Sequence, residues 1–219
     1  MTFVFIAILV MMAGCFMFVA GSVLVQGLRR IRSWRGLVTV GAAILFLIGT
    51  TGFFGSALSA LGGLNWLGSF EWPIGYTSNV VRLHDGRYVV PHTPSGRVQV
   101  YDAGFRFERG WRIDARGGTF AVRTTPEGNI DIHTARGNRH LLYAPSGRLV
   151  ADWKYVRDPV AGNELDPPAD AISVMIPTRW WLWPMTSPFY AWFCLIAGML
   201  LLGRLDRHDG RRSKRSPAK

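Results

Sequence analysis

Three long stretches without an ionisable side chain constrain this chain more than any other feature. Met1–Leu28, Gly36–Phe70 and Trp180–Gly203 contain no Asp, Glu, Lys, Arg or His. About 20 apolar residues in a helix cross the roughly 30 Å hydrocarbon layer of a bilayer, and each stretch is at least that long. A soluble core helix of this length would carry a polar stripe, and none of the three does. The sequence therefore predicts three transmembrane helices, within 1–28, 37–63 and 180–203. The first is predicted to be retained, although Met12-Ala13-Gly14-Cys15 loosely resembles a lipoprotein cleavage box. No Lys or Arg precedes the apolar run, and the run continues past Cys15 to Leu28.

Charge predicts the orientation. The net charge is +11, unevenly divided. The segment 29–36 carries Arg29, Arg30, Arg32 and Arg35, and the tail 204–219 carries seven basic residues, among them Arg211, Arg212, Lys214 and Arg215, against Asp206 and Asp209. Short basic segments stay on the cytoplasmic side. Both segments can be cytoplasmic at once, which puts the N-terminus out, the C-terminus in and the middle of the chain outside. The expected location is a cell membrane, of the bacterial inner-membrane type. The partner this basicity requires is the lipid bilayer, through its anionic headgroups. A nucleic acid is not needed to explain it.

Two features of the spans concern packing. Trp180, Trp181, Trp183, Tyr190 and Trp192 form an aromatic group suited to the headgroup layer, with the regular helix expected to begin near Pro188. In the second span Gly52, Ser56 and Ala60 fall four apart, as do Thr51, Gly55, Ser59 and Gly63. Small residues at this spacing let helices approach closely, against another helix of the chain or another subunit. The spans hold no buried charge, which disfavours an ion-coupled transporter.

The segment 64–157 reads differently. Short apolar runs, at 88–90, 98–101, 105–107, 119–122, 130–132 and 141–143, alternate with turn signals such as Asp85-Gly86, Glu127-Gly128 and Pro145-Ser146-Gly147. This pattern predicts an antiparallel all-β domain. The segment 158–179, with Pro159, Gly162, Glu164, Pro167-Pro168 and Pro177, reads as a linker, with 172–176 as a candidate last strand. An internal repeat is also present, over about 80–111 and 121–153. Asp85-Gly86 returns as Glu127-Gly128, His92-Thr93 as His133-Thr134, Gly96 as Gly137, Tyr101 as Tyr143 and Trp111 as Trp153. A period of about 40 residues carrying four strands matches one propeller blade.

Asp85-Gly86-Arg87-Tyr88-Val89-Val90, then Gly96-Arg97-Val98-Gln99-Val100-Tyr101-Asp102, then Trp111, resembles an NHL-type β-propeller repeat. The resemblance covers roughly Val80 to Trp153 and departs from the pattern at Arg139-His140-Leu141-Leu142-Tyr143. It implies blade-like units that bind other molecules. Two copies are too few for a closed monomeric propeller. A twisted sheet of about eight strands, a small sandwich, or a partial propeller completed by other subunits each fits.

Little in the β domain promises catalysis. His92 and His133 occupy similar repeat positions and are expected to face each other. With Asp131 they make a weak candidate metal site. The seryl turns Pro94-Ser95-Gly96-Arg97 and Pro145-Ser146-Gly147-Arg148 read as turn formers. Phosphate loops, nucleophile elbows and paired metal-binding cysteines are missing, and no cofactor is expected. Cys15 and Cys194 both lie in spans, so no disulfide is expected in the β domain. The first functional reading is a membrane-anchored binding or scaffold module, an accessory or assembly subunit of a membrane complex. Its partner, another protein or a second copy, would be met through sheet edges or the small-residue helix face. The alternative is a ligand sensor coupling the β domain to the tail. A metal-dependent extracytoplasmic enzyme is third.

Overall fold

The computed structural model describes residues 2–61, 64, 70–155 and 165–213. These fall into two compact units, residues 1–54 with 184–219, and residues 55–183.

The first unit is helical. Helices α1 (Thr2–Arg29), α2 (Trp34–Leu61) and α3 (Pro188–Ser213) are each long and apolar enough to cross a membrane. The basic segment is shorter than 29–36. Arg29 closes α1 and Arg35 lies in the first turn of α2, leaving residues 30–33 as the connection. Ser33 sets that boundary: its Oγ accepts from Gly36 N at 3.0 Å, satisfying one of the amides a helix start leaves open. α3 begins at Pro188, whose missing N–H costs nothing at the first helical position. Ser187 Oγ accepts the Phe189 amide beside it. The helix continues through 204–213, so the basic tail starts as helix; Lys214 and Arg215 lie outside the described residues. Within this unit Phe16 of α1 meets Phe46 and Phe54 of α2, each at 5.7 Å between ring centres.

Among the described residues the second unit holds nine strands in two antiparallel sheets that do not close into a barrel. The first sheet has the order β4-β3-β2-β1-β9 and the second β5-β6-β7-β8. Strands β1 (Tyr76–Arg82), β2 (Tyr88–His92), β3 (Arg97–Tyr101) and β4 (Phe107–Arg112) form one meander. Strands β5 (Phe120–Thr124), β6 (Ile130–Thr134), β7 (Arg139–Tyr143) and β8 (Leu149–Lys154) form a second. Strand β9 (Ile172–Met175), from the predicted linker, pairs with β1 and covers its edge. The repeats thus run over 76–112 and 120–154.

The two meanders repeat in one constant register. Every pair between β3 and β4 has its counterpart between β7 and β8: Val98↔Trp111 answers to His140↔Trp153, and an irregularity after Val100 recurs after Leu142. The hairpin turns repeat too. Leu83 to Arg87 and Thr125 to Asn129 close with the same backbone bonds, as do Asp102 to Arg106 and Ala144 to Arg148. The fourth residue of each turn has positive φ: Gly86, Gly128, Gly147 and, against type, Phe105. A side chain there costs roughly 1–2 kcal/mol. Stacking of Phe105 on Tyr88, 4.6 Å between centres, offsets that cost. The expected strand at 105–107 therefore starts only at Phe107.

One core joins the two meanders. Val81, Val89, Val98 and Trp111 of the first meet Val122, Ile130, Ile132, Leu141 and Tyr143 of the second. On the far side of the first sheet Val80, Val90 and Tyr101 pack with Ile74 and Ile176.

The C-terminal end of α2 serves this unit. Ser59 Oγ donates to Ser95 O at 2.8 Å, and Arg112 donates to Ala60 O at 3.1 Å. Replacing Ser59 by Ala leaves the buried Ser95 carbonyl without this donor. The expected loss is about 1 kcal/mol, read as a lower unfolding midpoint of the full-length protein in detergent.

Candidate functional site

The two faces of the second sheet have opposite chemistry, because successive residues of a strand point to opposite sides. Phe120, Val122, Ile130, Ile132, Leu141 and Tyr143 point into the shared core. Arg123, Asp131, His133, His140, Leu142 and Trp153 point away from it, as the pairs Arg123↔Asp131, Asp131↔Leu142, His133↔His140 and His140↔Trp153 require.

Asp131, His133 and His140 converge there. Asp131 and His133 alternate along β6 with Ile132 between them, so both project to the same face. His140 sits directly opposite His133 on β7. His133 Nε2 lies 3.2 Å from Asp131 Oδ2, and His140 Nε2 is hydrogen-bonded to Asp131 Oδ1. The two imidazoles are 4.0 Å apart between ring centres. Trp153 lies 4.1 Å from His140 and Tyr155 lies 5.5 Å from His133. Tyr155 is anchored by its own bond to Thr134 O. Burial opposes ionisation of Asp131, but the bonds and charge of His133 and His140 outweigh it and hold the carboxyl below its usual range.

His92 is not part of this group. In the strand register Pro91↔Val98 answers to His133↔His140, so the counterpart of His133 is Pro91 and that of His92 is Thr134. A slip of one residue turns a side chain to the other face of a sheet. His92 is buried in the first sheet, with its Nδ1 hydrogen-bonded to Ser95 Oγ at 2.7 Å. His140 takes the place expected of it. The sequence signal for His140 was the departure from the repeat at 139–143.

The other predicted residues separate by role. Gly52 lies against Ala191 of α3. Gly55 faces the Trp72 indole, Ser59 binds Ser95, and Ala60 lies against Gly96, so this part of the stripe packs on the β unit rather than on a helix. Ser56 is buried, and Gly63 lies outside the described residues. Trp180, Trp181 and Trp183 lie in a short 3₁₀ helix over Trp180–Thr186. Their rings are exposed, as are those of Tyr190 and Trp192 on α3. Arg30 and Arg35 line a cavity of about 780 Å³ with Trp34 and Arg204. Arg29 and Arg32 line a shallower one of about 540 Å³. Arg211 and Arg212 lie on α3.

Comparison with protein-family models, curated proteins and solved structures finds no match to this chain.

Proposed function

We propose that this protein is a membrane-anchored binding module, an accessory or assembly subunit of a membrane complex, displaying its β unit outside the cytoplasm. One observation carries the reading. The face that the first sheet buries against the second has an equivalent on the second sheet, and that equivalent is the face bearing His133, His140 and Trp153. Beside it β8 ends the sheet, and among the described residues no strand pairs with its outer edge. Leu149, Val150 and Trp153 of β8 are 45, 46 and 43% exposed. An apolar, unpaired edge strand is a template for another chain. The NHL-type resemblance points the same way, and a protein partner is the occupant that main-chain pairing suits.

Site-specific photocrosslinking tests this reading. A benzophenone side chain at Val150, activated in native membranes, is expected to give a discrete protein adduct. The same group at Glu127, in an exposed turn, is expected to give none. Absence of an adduct, together with a monodisperse monomer in mild detergent, overturns the proposal.

The orientation follows from the two basic segments. In a variant with Cys15 and Cys194 replaced by Ala, a cysteine at Ser146 should react with an impermeant maleimide in intact cells. One at Ser213 should react only after permeabilisation. The reverse pattern overturns the assignment.

A further inference from the structure

We propose that Asp131, His133 and His140 bind a divalent transition-metal ion, with zinc as the reference ion. The three side chains place one ligand atom each within 4.8 Å of one another. Around a tetrahedral zinc ion, with bonds of about 2.0–2.2 Å, ligand atoms lie roughly 3.4 Å apart, so small side-chain rotations close the set. Two imidazoles and one carboxylate favour zinc and its neighbours over magnesium or calcium, which prefer all-oxygen sites. Three protein ligands also leave a coordination position for water or for a group from a partner.

The repeat strengthens the inference. In the first copy the same three positions hold Val89, Pro91 and Val98, all buried, with Val89 and Val98 in the shared core. In the second copy these three neighbouring positions all carry metal-ligating side chains. Two other positions of the face stay apolar, Val100 and Trp111 recurring as Leu142 and Trp153. A sheet face turned to solvent needs only polar residues, and Lys, Glu or Thr would serve. Two histidines in direct cross-strand register, both bonded to one carboxylate, are a narrower choice. Strand pairing fixes both backbones, so the set is preorganised by the sheet. The inference goes beyond the binding reading, because the metal would bind whether or not a partner docks.

The test uses full-length protein with a histidine-free affinity tag, stripped with EDTA and dialysed against Zn²⁺ in detergent. Elemental analysis is expected to find one zinc per chain. Co²⁺ in its place is expected to give visible d–d absorption. H133A and H140A are each expected to weaken zinc binding by at least about 100-fold, the upper end of what losing even an outer-shell partner costs. D131N should weaken it as well, whereas H92A and H84A should bind as the unaltered chain does. Because an alanine variant can lose its fold, H133Q and H140Q are measured beside them, with near-UV circular dichroism reporting the fold. Folded Gln variants that no longer bind zinc support the site. Failure of the unaltered chain to bind zinc, undiminished binding by the folded variants, or loss of binding in H84A or in an H92A protein that keeps its near-UV spectrum overturns it. A failed Val150 crosslink leaves these readouts unaffected, so the two proposals fail separately.

Discussion

Replacing Gln99 by Leu is expected to destabilise the β unit by roughly 3–6 kcal/mol, despite similar volume and an apolar side chain, because it leaves several buried polar groups unmatched. Gln99 is fully buried, and its amide uses both ends. Oε1 accepts from Trp72 N at 2.6 Å, and Nε2 donates to Trp72 O and to the Tyr101 hydroxyl, each at 2.9 Å. Leu removes all three bonds while leaving Trp72 and Tyr101 in place. A buried polar group left unmatched costs about 1–3 kcal/mol; Trp72 N and Trp72 O lose the same partner together, while the Tyr101 hydroxyl keeps its bond to Glu71. Burial already pushes the Tyr101 hydroxyl well above its usual pKa, with Glu71 adding to the shift. That phenol is therefore neutral and has little water to turn to. Tyr101→Phe removes the hydroxyl's bonds to Gln99 and to Glu71 but leaves both Trp72 groups matched, and should cost less, about 1–2 kcal/mol. Urea unfolding of the full-length protein in detergent, followed by near-UV circular dichroism, separates the two. Equal midpoints for Gln99→Leu and the unaltered chain would remove this network from the account of the fold.

The second large effect belongs to the helical unit. Gly49→Ile and Gly198→Ile are each expected to abolish the monodisperse species on size exclusion in mild detergent. A Cβ at Gly49 would lie 2.3 Å from Leu195 N and 2.6 Å from Ala191 O. At Gly198 it would lie 2.7 Å from Phe46 N and 2.8 Å from Ala42 O. The obstacle is backbone on both sides, which no rotamer change relieves. Helices in lipid gain little from apolar burial and associate through close packing. Forcing α2 and α3 apart therefore removes the main attraction between them, beyond the roughly 1–3 kcal/mol typical of overpacking. Gly14, Gly21 and Gly41 are the controls: a Cβ there meets nothing within 4 Å. Alanine at these positions should leave the protein intact, with a helix-propensity gain of up to about 1 kcal/mol. Intact behaviour of Gly49→Ile would mean that α2 and α3 do not meet at these glycines.

The regular spacing of Gly52, Ser56 and Ala60 points to a helix-packing face, yet the closest backbone approaches between α2 and α3 involve Gly49 and Gly198. Glycine is frequent all along these helices, and spacing alone does not say which one faces a neighbour. The strands β1 and β8 were also hard to read. Tyr76-Thr77-Ser78-Asn79 is polar and unalternating, and Leu149-Val150-Ala151-Asp152-Trp153-Lys154 belongs to an edge strand with little burial to impose a pattern. Within the linker segment 158–179 the candidate strand at 172–176 is β9, but its pairing with β1 depends on the chain returning to a distant edge, which local sequence does not show.

What the sequence determined by itself was whatever depends on short-range chemistry. The three charge-free runs dictate helices long and apolar enough for a bilayer, because hydrocarbon leaves the backbone no other partner. Turn residues and the two copies dictate an antiparallel β unit of repeated meanders. Tertiary structure alone decided which residues share a face. The recurrence of His92-Thr93 as His133-Thr134 looks like equivalence in the sequence, but strand register makes it a slip of one. That slip sends His92 to Ser95 within the first sheet. It leaves His133 with Asp131 and His140 on the outward face of the second.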